Sequence, residues 1–197
     1  FRRNQYTLTV NPTENGDANG SGTYDFENQV SISATPISGY LFDEWTGDTS
    51  YLSEPTSPQT IVTIPAGNVS ITPQFRRNQY TLTVNPTENG DANGSGTYDF
   101  EDQVPISATP TSGYLFDGWN GDTSYLSDPT SPQTIVTIPS RNISITPSFR
   151  PIPFYISATT SDPGIISGTG DYTPGSTVSL LGTGAVSYTH LTLPTIE

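Results

Sequence analysis

Asp17-Ala18-Asn19-Gly20-Ser21-Gly22-Thr23-Tyr24-Asp25 sets Asp17, Asn19, Ser21 and Asp25 at alternating positions around a central glycine. Calcium-binding loops of the EF-hand type use that spacing. A hard cation needs several oxygens, and the chain must turn sharply at the glycine. The run recurs as Asp91, Asn93, Ser95 and Asp99, and there it continues to Asp102 at the twelfth position, where the first run has Asn28. The flanks carry strand patterns instead of helical ones, and no bidentate glutamate closes either run. A hairpin rich in Gly and Asn accounts for the same residues. The expectation is a plain turn, with calcium the one cofactor that these residues raise.

Two other groupings suggest chemistry. Asp43-Glu44 resembles the carboxylate pair of a glycosidase, but the corresponding second position is Gly118. Tyr40, Phe42 and Trp45, with their counterparts Tyr114, Phe116 and Trp119, offer the aromatic area of a sugar-stacking platform. They also lie in the most apolar part of the sequence, and a small core needs its aromatics. All six are therefore expected in the core. Tyr51 and Tyr125, in polar surroundings, are the better candidates for exposed aromatic contacts.

The absent residue types narrow the field. The chain has no cysteine, so disulfides, thiolate nucleophiles and thiolate metal sites are excluded. Every basic residue is arginine, which removes Schiff-base chemistry and lysine-dependent isopeptide crosslinks. His190 is the single histidine, so no Ser-His-Asp triad or histidine metal site can form in the rest of the chain. No catalytic residue is expected. The net charge of -13 disfavours nucleic acid and anionic membranes as partners. No run of about 18 apolar residues is present to span a bilayer as a helix.

The elements that must position these residues come in duplicate. Residues 1–74 and 75–148 align without a gap and differ at ten positions. A repeat of this length marks an array of modules. Within each module the apolar residues alternate with period two. Tyr6, Leu8 and Val10 form one such set; Tyr24 and Phe26 another; Val30, Ile32 and Ala34 a third; Val62 and Ile64 a fourth; Val69, Ile71 and Phe75 a fifth. Asn11 to Gly22 reads as a loop or wide hairpin and residues 46–59 as a polar loop. Pro73 places the last strand at an edge or terminus. The expected fold is all-β, with five or six short strands and a thin core per module. High Thr, Ser, Gly, Pro and Tyr content suits an extracellular β protein.

The order of these motifs resembles the divergent InlB B-repeat family, Listeria-Bacteroides-type repeats of bacterial surface and secreted proteins. The resemblance rests on Tyr-Thr-Leu-Thr-Val, Gly-Ser-Gly-Thr-Tyr, Val-Ser-Ile-Ser-Ala-Thr-Pro, Ser-Gly-Tyr-Leu-Phe-Asp-Glu-Trp-Thr-Gly-Asp and Val-Ser-Ile-Thr-Pro-Gln-Phe. Its most specific part is Gly-Tyr-x-Phe-x-x-Trp, at Gly39–Trp45 and Gly113–Trp119. It implies small β-grasp-like modules strung together as stalks or spacers, and it brings no catalytic residue.

The expected organisation is module one at 1–75, module two at 76–149 and a truncated third module at 150–185. In the third, Phe154, Tyr172 and Val178 take the places of Tyr6, Tyr24 and Val30, and the aromatic segment is missing. Val186-Ser187-Tyr188-Thr189-His190-Leu191-Thr192-Leu193-Pro194-Thr195 resembles the conceptual translation of a transposon-based sequencing adapter, so residues 186–197 are expected to be non-native and the chain a fragment. Between Phe75 and Tyr80 lie four residues, with no Gly/Ser tether, and the next joint is Arg150-Pro151-Ile152-Pro153. Both features imply stiff, close joints in which Arg76 and Arg77 reach acids of either neighbour. The function expected is a non-catalytic extracellular spacer, monomeric within a longer chain. The alternatives are an adhesion or glycan-binding module, with a glycan or surface protein as ligand, and an accessory segment of a secreted enzyme.

Overall fold

The computed structural model describes residues 3–157, 165–173, 176–179 and 181–183. The tail at 186–197 and its histidine lie outside these residues. Among the described residues the fold is all-β, and its helical content is two short 3-10 turns, Thr49–Tyr51 and Thr123–Tyr125.

Module one contains seven strands: β1 (Gln5–Val10), β2 (Gly16–Asn19), β3 (Gly22–Asp25), β4 (Gln29–Pro36), β5 (Tyr40–Gly47), β6 (Gln59–Thr63) and β7 (Val69–Arg77). They form a four-stranded sheet in the order β3-β1-β7-β5 and a three-stranded sheet in the order β2-β4-β6. The first and last strands, β1 and β7, run parallel at the centre of the larger sheet, with Leu8 beside Val69 and Val10 beside Ile71. This central parallel pair gives the module its β-grasp-like character.

The period-two alternation explains the core. Leu8 and Val10, Val30, Ile32 and Ala34, Val62 and Ile64, and Val69 and Ile71 are all buried in one cluster with Trp45. Each strand turns one face inward, and the inner faces of the two sheets close on one another. Gly16 is required by this packing. A Cβ there would stand 2.5 Å from Cζ of Phe75 and 2.6 Å from the Thr35 carbonyl oxygen.

Three expectations need correction. The stretch from Asn11 to Gly22 is not only a loop, because it contains β2, paired antiparallel with β4 from Gly16–Pro36 to Asn19–Ser33. Its short polar sequence carries no alternation to reveal a strand. Pro73 is not at an edge: β7 lies between β1 and β5, and Pro73 is fully buried. The strand tolerates it because Ile71, two residues earlier, bonds toward β1, so the missing N–H of Pro73 faces the side where the β1 ladder has ended at Val10–Ile71. Trp45, opposite Pro73 on β5, donates its backbone N–H to the Pro55 carbonyl at 2.8 Å instead. A strand position without a ladder partner on its N–H side is where proline does least harm. Finally, Phe26 does not continue the strand of Tyr24. It stands in a turn closed by Asn28 N–H to the Asp25 carbonyl at 3.1 Å, with Glu27 left-handed at φ 66°.

Module two repeats the plan as β8 (Gln79–Val84), β9 (Gly90–Asn93), β10 (Gly96–Asp99), β11 (Gln103–Pro110), β12 (Tyr114–Gly121), β13 (Gln133–Thr137) and β14 (Ile143–Pro151). Its sheets run β10-β8-β14-β12 and β13-β11-β9. The bulge of β12 falls between Phe116 and Gly118, opposite Phe149 and Ser148, and Trp119 again stands opposite a proline, Pro147. Pro105 replaces Ser31 in the middle strand of the smaller sheet. It lies past the end of the β11–β9 ladder, which stops at Ser107, so its lacking N–H leaves that pairing intact.

The third copy begins with the same registers. Strands β15 (Phe154–Ile156) and β17 (Gly170–Tyr172) pair with Phe154 opposite Tyr172, as Tyr6 stands opposite Tyr24. Strands β16 (Ile165–Ser167) and β18 (Leu181–Thr183) pair with Ser167 opposite Leu181, as Asn19 stands opposite Ser33. These are two separate two-stranded pairs, a form with little stability of its own.

By backbone proximity the chain divides into two compact units. The first comprises Phe1–Thr81 together with Thr97–Asp102 and Ile138–Asn142. The second comprises Leu82–Gly96, Gln103–Thr137 and the described residues from Ile143 onward. The joint between modules one and two therefore falls inside the first unit.

Candidate functional site

The sequence offered three candidate sites, and the fold places the residues of each as follows. In the calcium-type run, Asp17 and Asn19 lie on β2 opposite Thr35 and Ser33. Ser21 is engaged with its neighbour strand: its hydroxyl accepts the Val10 N–H at 2.9 Å and donates to the Val10 carbonyl at 3.2 Å. Asp25, on β3, accepts the Gln5 side-chain amide at 3.1 Å. The second run is spread in the same way. Asp91 and Asn93 lie opposite Thr109 and Ser107, and Ser95 is bonded to Val84. Asp99 and Asp102 face Arg77 at 3.8 and 2.8 Å. Extended strands separate residues that a loop would gather. Among the described residues no group of three or more His, Cys, Asp or Glu is arranged to hold a metal.

The carboxylates of Asp43-Glu44 belong to the bulge of β5, where Asp43 pairs with Arg76 of its own module at 3.6 Å. Both partners are more than half exposed, a setting in which such pairs contribute about 0–1 kcal/mol.

The aromatic segment splits by role. Trp45 and Trp119 are buried, 1% and 5% exposed, and each indole N–H donates at 2.9 Å, to the carbonyls of Ser57 and Ser131 respectively. That bond ties the 46–59 loop and its copy to the core. Neither indole face is open for stacking a sugar. Phe42 and Phe116 are half-buried and lie edge-on to Phe75 and Phe149 at 6.1 Å. Tyr40 does not join the core, as had been expected. It is half-buried, and its ring meets Phe100 of module two at 5.7 Å in a T-shaped arrangement. Tyr114 is also half-buried. Tyr51 is 40% exposed and Tyr125 half-buried.

The densest set of specific contacts that sequence reasoning missed is the joint, and all its residues lie in the first compact unit. The corner Ser38-Gly39-Tyr40 of module one meets the turn Asp99–Asp102 of module two. Phe100 is the centre of this contact. Its ring is held edge-on by Tyr40 and by Tyr80, the latter at 6.5 Å. It lies flat against Gly39, where a Cβ would come within 2.4 Å of two ring carbons. Gly39 is left-handed at φ 92°, so glycine is required there twice over.

Polar contacts surround the ring. Asn78 N–H donates to the Gly39 carbonyl at 2.8 Å, and Phe100 N–H to the Asn78 carbonyl at 2.8 Å. Arg77 donates to the Phe100 carbonyl at 3.0 Å and to the Asp102 carboxylate at 2.8 Å. The hydroxyls of Ser38 and Ser140 are 2.9 Å apart. Aromatic pairs of this kind contribute about 0.5–1.5 kcal/mol beyond burial, and exposed ion pairs about 0–1 kcal/mol. The arginine expectation is thus met by both residues, since Arg77 reaches Asp99 and Asp102 of module two and Arg76 reaches Asp43 of module one. A signal for Phe100 existed in the sequence. It sits between two acids, Asp99 and Glu101, and an aromatic so flanked is more at home at a contact than in a core.

Both modules also carry an open groove at the same place. One is lined by Ser31, Ile32, Ser33, Gln59, Thr60 and Ile61, about 280 Å³, and the other by their counterparts Pro105 to Ser107 and Gln133 to Ile135, about 480 Å³. Ile61 and Ile135, 40% and 42% exposed, supply their apolar surface.

No curated protein and no solved structure matches this chain significantly. A family model, the divergent InlB B-repeat domain, matches twice in tandem, over residues 6–79 and 80–153. Each match begins at the first inward residue of β1 or β8 and ends a few residues past the expected module boundary. With both copies accounted for and the same core residues buried in each, the chain belongs to the divergent InlB B-repeat family.

Proposed function

We propose that this chain is a spacer segment of a bacterial surface or secreted protein, without catalysis of its own, in which the corner of one repeat is clasped by the first turn of the next. The observation that carries this is the Phe100 joint. A flexible array has no need of an aromatic ring wedged on an obligatory glycine, locked by Arg77 to a carbonyl and a carboxylate. The chemistry of the chain supports the same reading, because the repeats hold no Cys, Lys or His and so cannot carry thiolate, Schiff-base or Ser-His-Asp chemistry. Family membership supports placement outside the cell, where repeats of this type are typical.

The test uses the absence of cysteine. Two cysteines introduced at exposed sites within the first compact unit, Ser50→Cys in module one and Thr97→Cys in module two, can carry spin labels. The distance distribution between them is expected to be narrow in the parent chain. Phe100→Ala and Arg77→Ala should each broaden it. A distribution in the parent chain as broad as that of a flexible linker would overturn the spacer reading.

A further inference from the structure

We propose that the edge formed by Tyr6 and Phe26 in module one is a docking site for the Ser-Gly-Tyr corner of a further repeat of this type joined ahead of it in the same polypeptide. The receiving half of the joint is already assembled there. Phe26 and Tyr6 stand 6.5 Å apart at 72°, against 6.5 Å and 75° for Phe100 and Tyr80. Phe26 N–H bonds the Asn4 carbonyl as Phe100 N–H bonds that of Asn78. The turn is held by the same left-handed glutamate, Glu27 at φ 66° and Glu101 at 68°. What differs is cover: Phe100 is half-buried under Gly39 and Tyr40, whereas Phe26 is 37% exposed. A large aromatic ring is thus presented on a strained turn, in the geometry its twin uses to receive a repeat.

The occupant must be tethered. One T-shaped ring contact and a few exposed polar contacts are too little to hold two free molecules together. A linker as short as the four residues between Phe75 and Tyr80 supplies an effective concentration on the order of millimolar or more. The seat is also not an exact twin. Asp102, the partner of Arg77, is replaced by Asn28, and Ser140, the partner of Ser38, by Ala66. The aromatic seat is kept while two of the surrounding polar partners are lost. Docking on Phe26 should therefore be weaker than docking on Phe100. This inference rests on the observed joint and not on the spacer reading; a flexible array could still use the seat part of the time.

The experiment compares the full chain with a chain carrying one more copy of residues 1–74 ahead of Phe1. In the full chain Phe26→Ala should move the melting temperature by about a degree or less, and Phe100→Ala should lower it by about 5 °C. In the extended chain Phe26→Ala should lower the melting of the repeats it joins by about 3–5 °C. Asn28→Asp, which restores the missing carboxylate, should raise melting in the extended chain and leave the full chain unchanged. Equal effects of Phe26→Ala in both chains, with no gain from Asn28→Asp in the extended one, would overturn the proposal. So would head-to-tail dimers of the unextended chain at about 0.1 mM that Phe26→Ala dissolves, since they would show an occupant that needs no tether.

Discussion

Modules one and two differ at ten positions, and where those positions fall is instructive. In the buried core the two modules are the same apart from Val69, which becomes Ile143, a change of one methylene. At the joint the picture is different. Asp102 and Ser140, both in module two and both in contact with module one, replace Asn28 and Ala66. Each gains a partner by the change: Asp102 takes Arg77, and Ser140 takes the Ser38 hydroxyl. Two nearly identical copies have thus kept one interior and acquired different receiving edges. A core tolerates little change of shape because its packing is dense. A joint can be tuned by single polar residues because each contributes little to folding and much to fit.

The sharpest test of the shared interior is at the tryptophans. Trp45→Ala and Trp119→Ala should each cost about 3–5 kcal/mol, which is most of the stability of a small module. The loss has two parts, the cavity and the loop carbonyl of Ser57 or Ser131 left without its indole donor. Denaturant unfolding followed by far-ultraviolet circular dichroism should show half of the structured β signal melting early in either variant. A cost far smaller in one module would break the equivalence of the two cores.

The joint comes next. Asp102→Asn with Ser140→Ala converts the receiving edge of module two into that of module one. The pair should lower stability by about 1 kcal/mol or less, since the ion pair is exposed, and the loss should shrink in high salt. The reverse pair, Asn28→Asp with Ala66→Ser, should be neutral in this chain. If both pairs prove neutral at low salt, these two differences do not tune the joint. Calcium belongs on the same scale. At matched ionic strength it is expected to shift melting no more than sodium does. A shift that vanishes in Asp91→Ala would establish a site that the strand geometry does not suggest.

Much of this fold was legible because period-two burial is a strong signal. The inward residues of β1, β4, β6 and β7 were read correctly from alternation alone, and the two tryptophans from their place in the most apolar segment. Three features were not legible, each for a physical reason. Strand β2, Gly-Asp-Ala-Asn, has no apolar alternation because it is short and packs a glycine against Phe75. Pro73 looked like an edge marker because the ladder of β7 with β1 ends at Ile71, so a central strand is open on one side at the proline. Phe26 and Phe100 continued the alternation of Tyr24 and Tyr98, so they read as core. The left-handed glutamate that follows each of them turns the ring outward; the flanking acids were a hint of exposure, but glutamate itself gives no warning of that conformation. The joint was legible as a short linker with arginines, but not as an aromatic seat.

The smallest expected effect separates the modules at one loop position, Glu54 in module one and Asp128 in module two. Glu54 accepts one bond, from the Thr56 hydroxyl at 2.6 Å. Asp128, one methylene shorter, accepts two on the same oxygen, from the Thr130 hydroxyl at 2.7 Å and the Thr130 N–H at 2.8 Å. The Thr130 hydroxyl above all, then its N–H, holds the Asp128 carboxyl below the ordinary aspartate range. A carboxyl that ionises more readily folded than unfolded adds stability above its unfolded value, about 4. That contribution is lost as pH falls through the lower, folded value. Asp128→Asn should therefore lower the melting temperature slightly at neutral pH, and the difference from the parent chain should close on acidification below about pH 4. Because the group is fully exposed, the difference should be small and should weaken with salt. Melting curves of the two chains at low ionic strength, from neutral pH down into the acid range, decide the matter. A gap that stays constant across that range would mean that Asp128 acts by shape alone, capping the loop through either side chain, and that its charge contributes nothing.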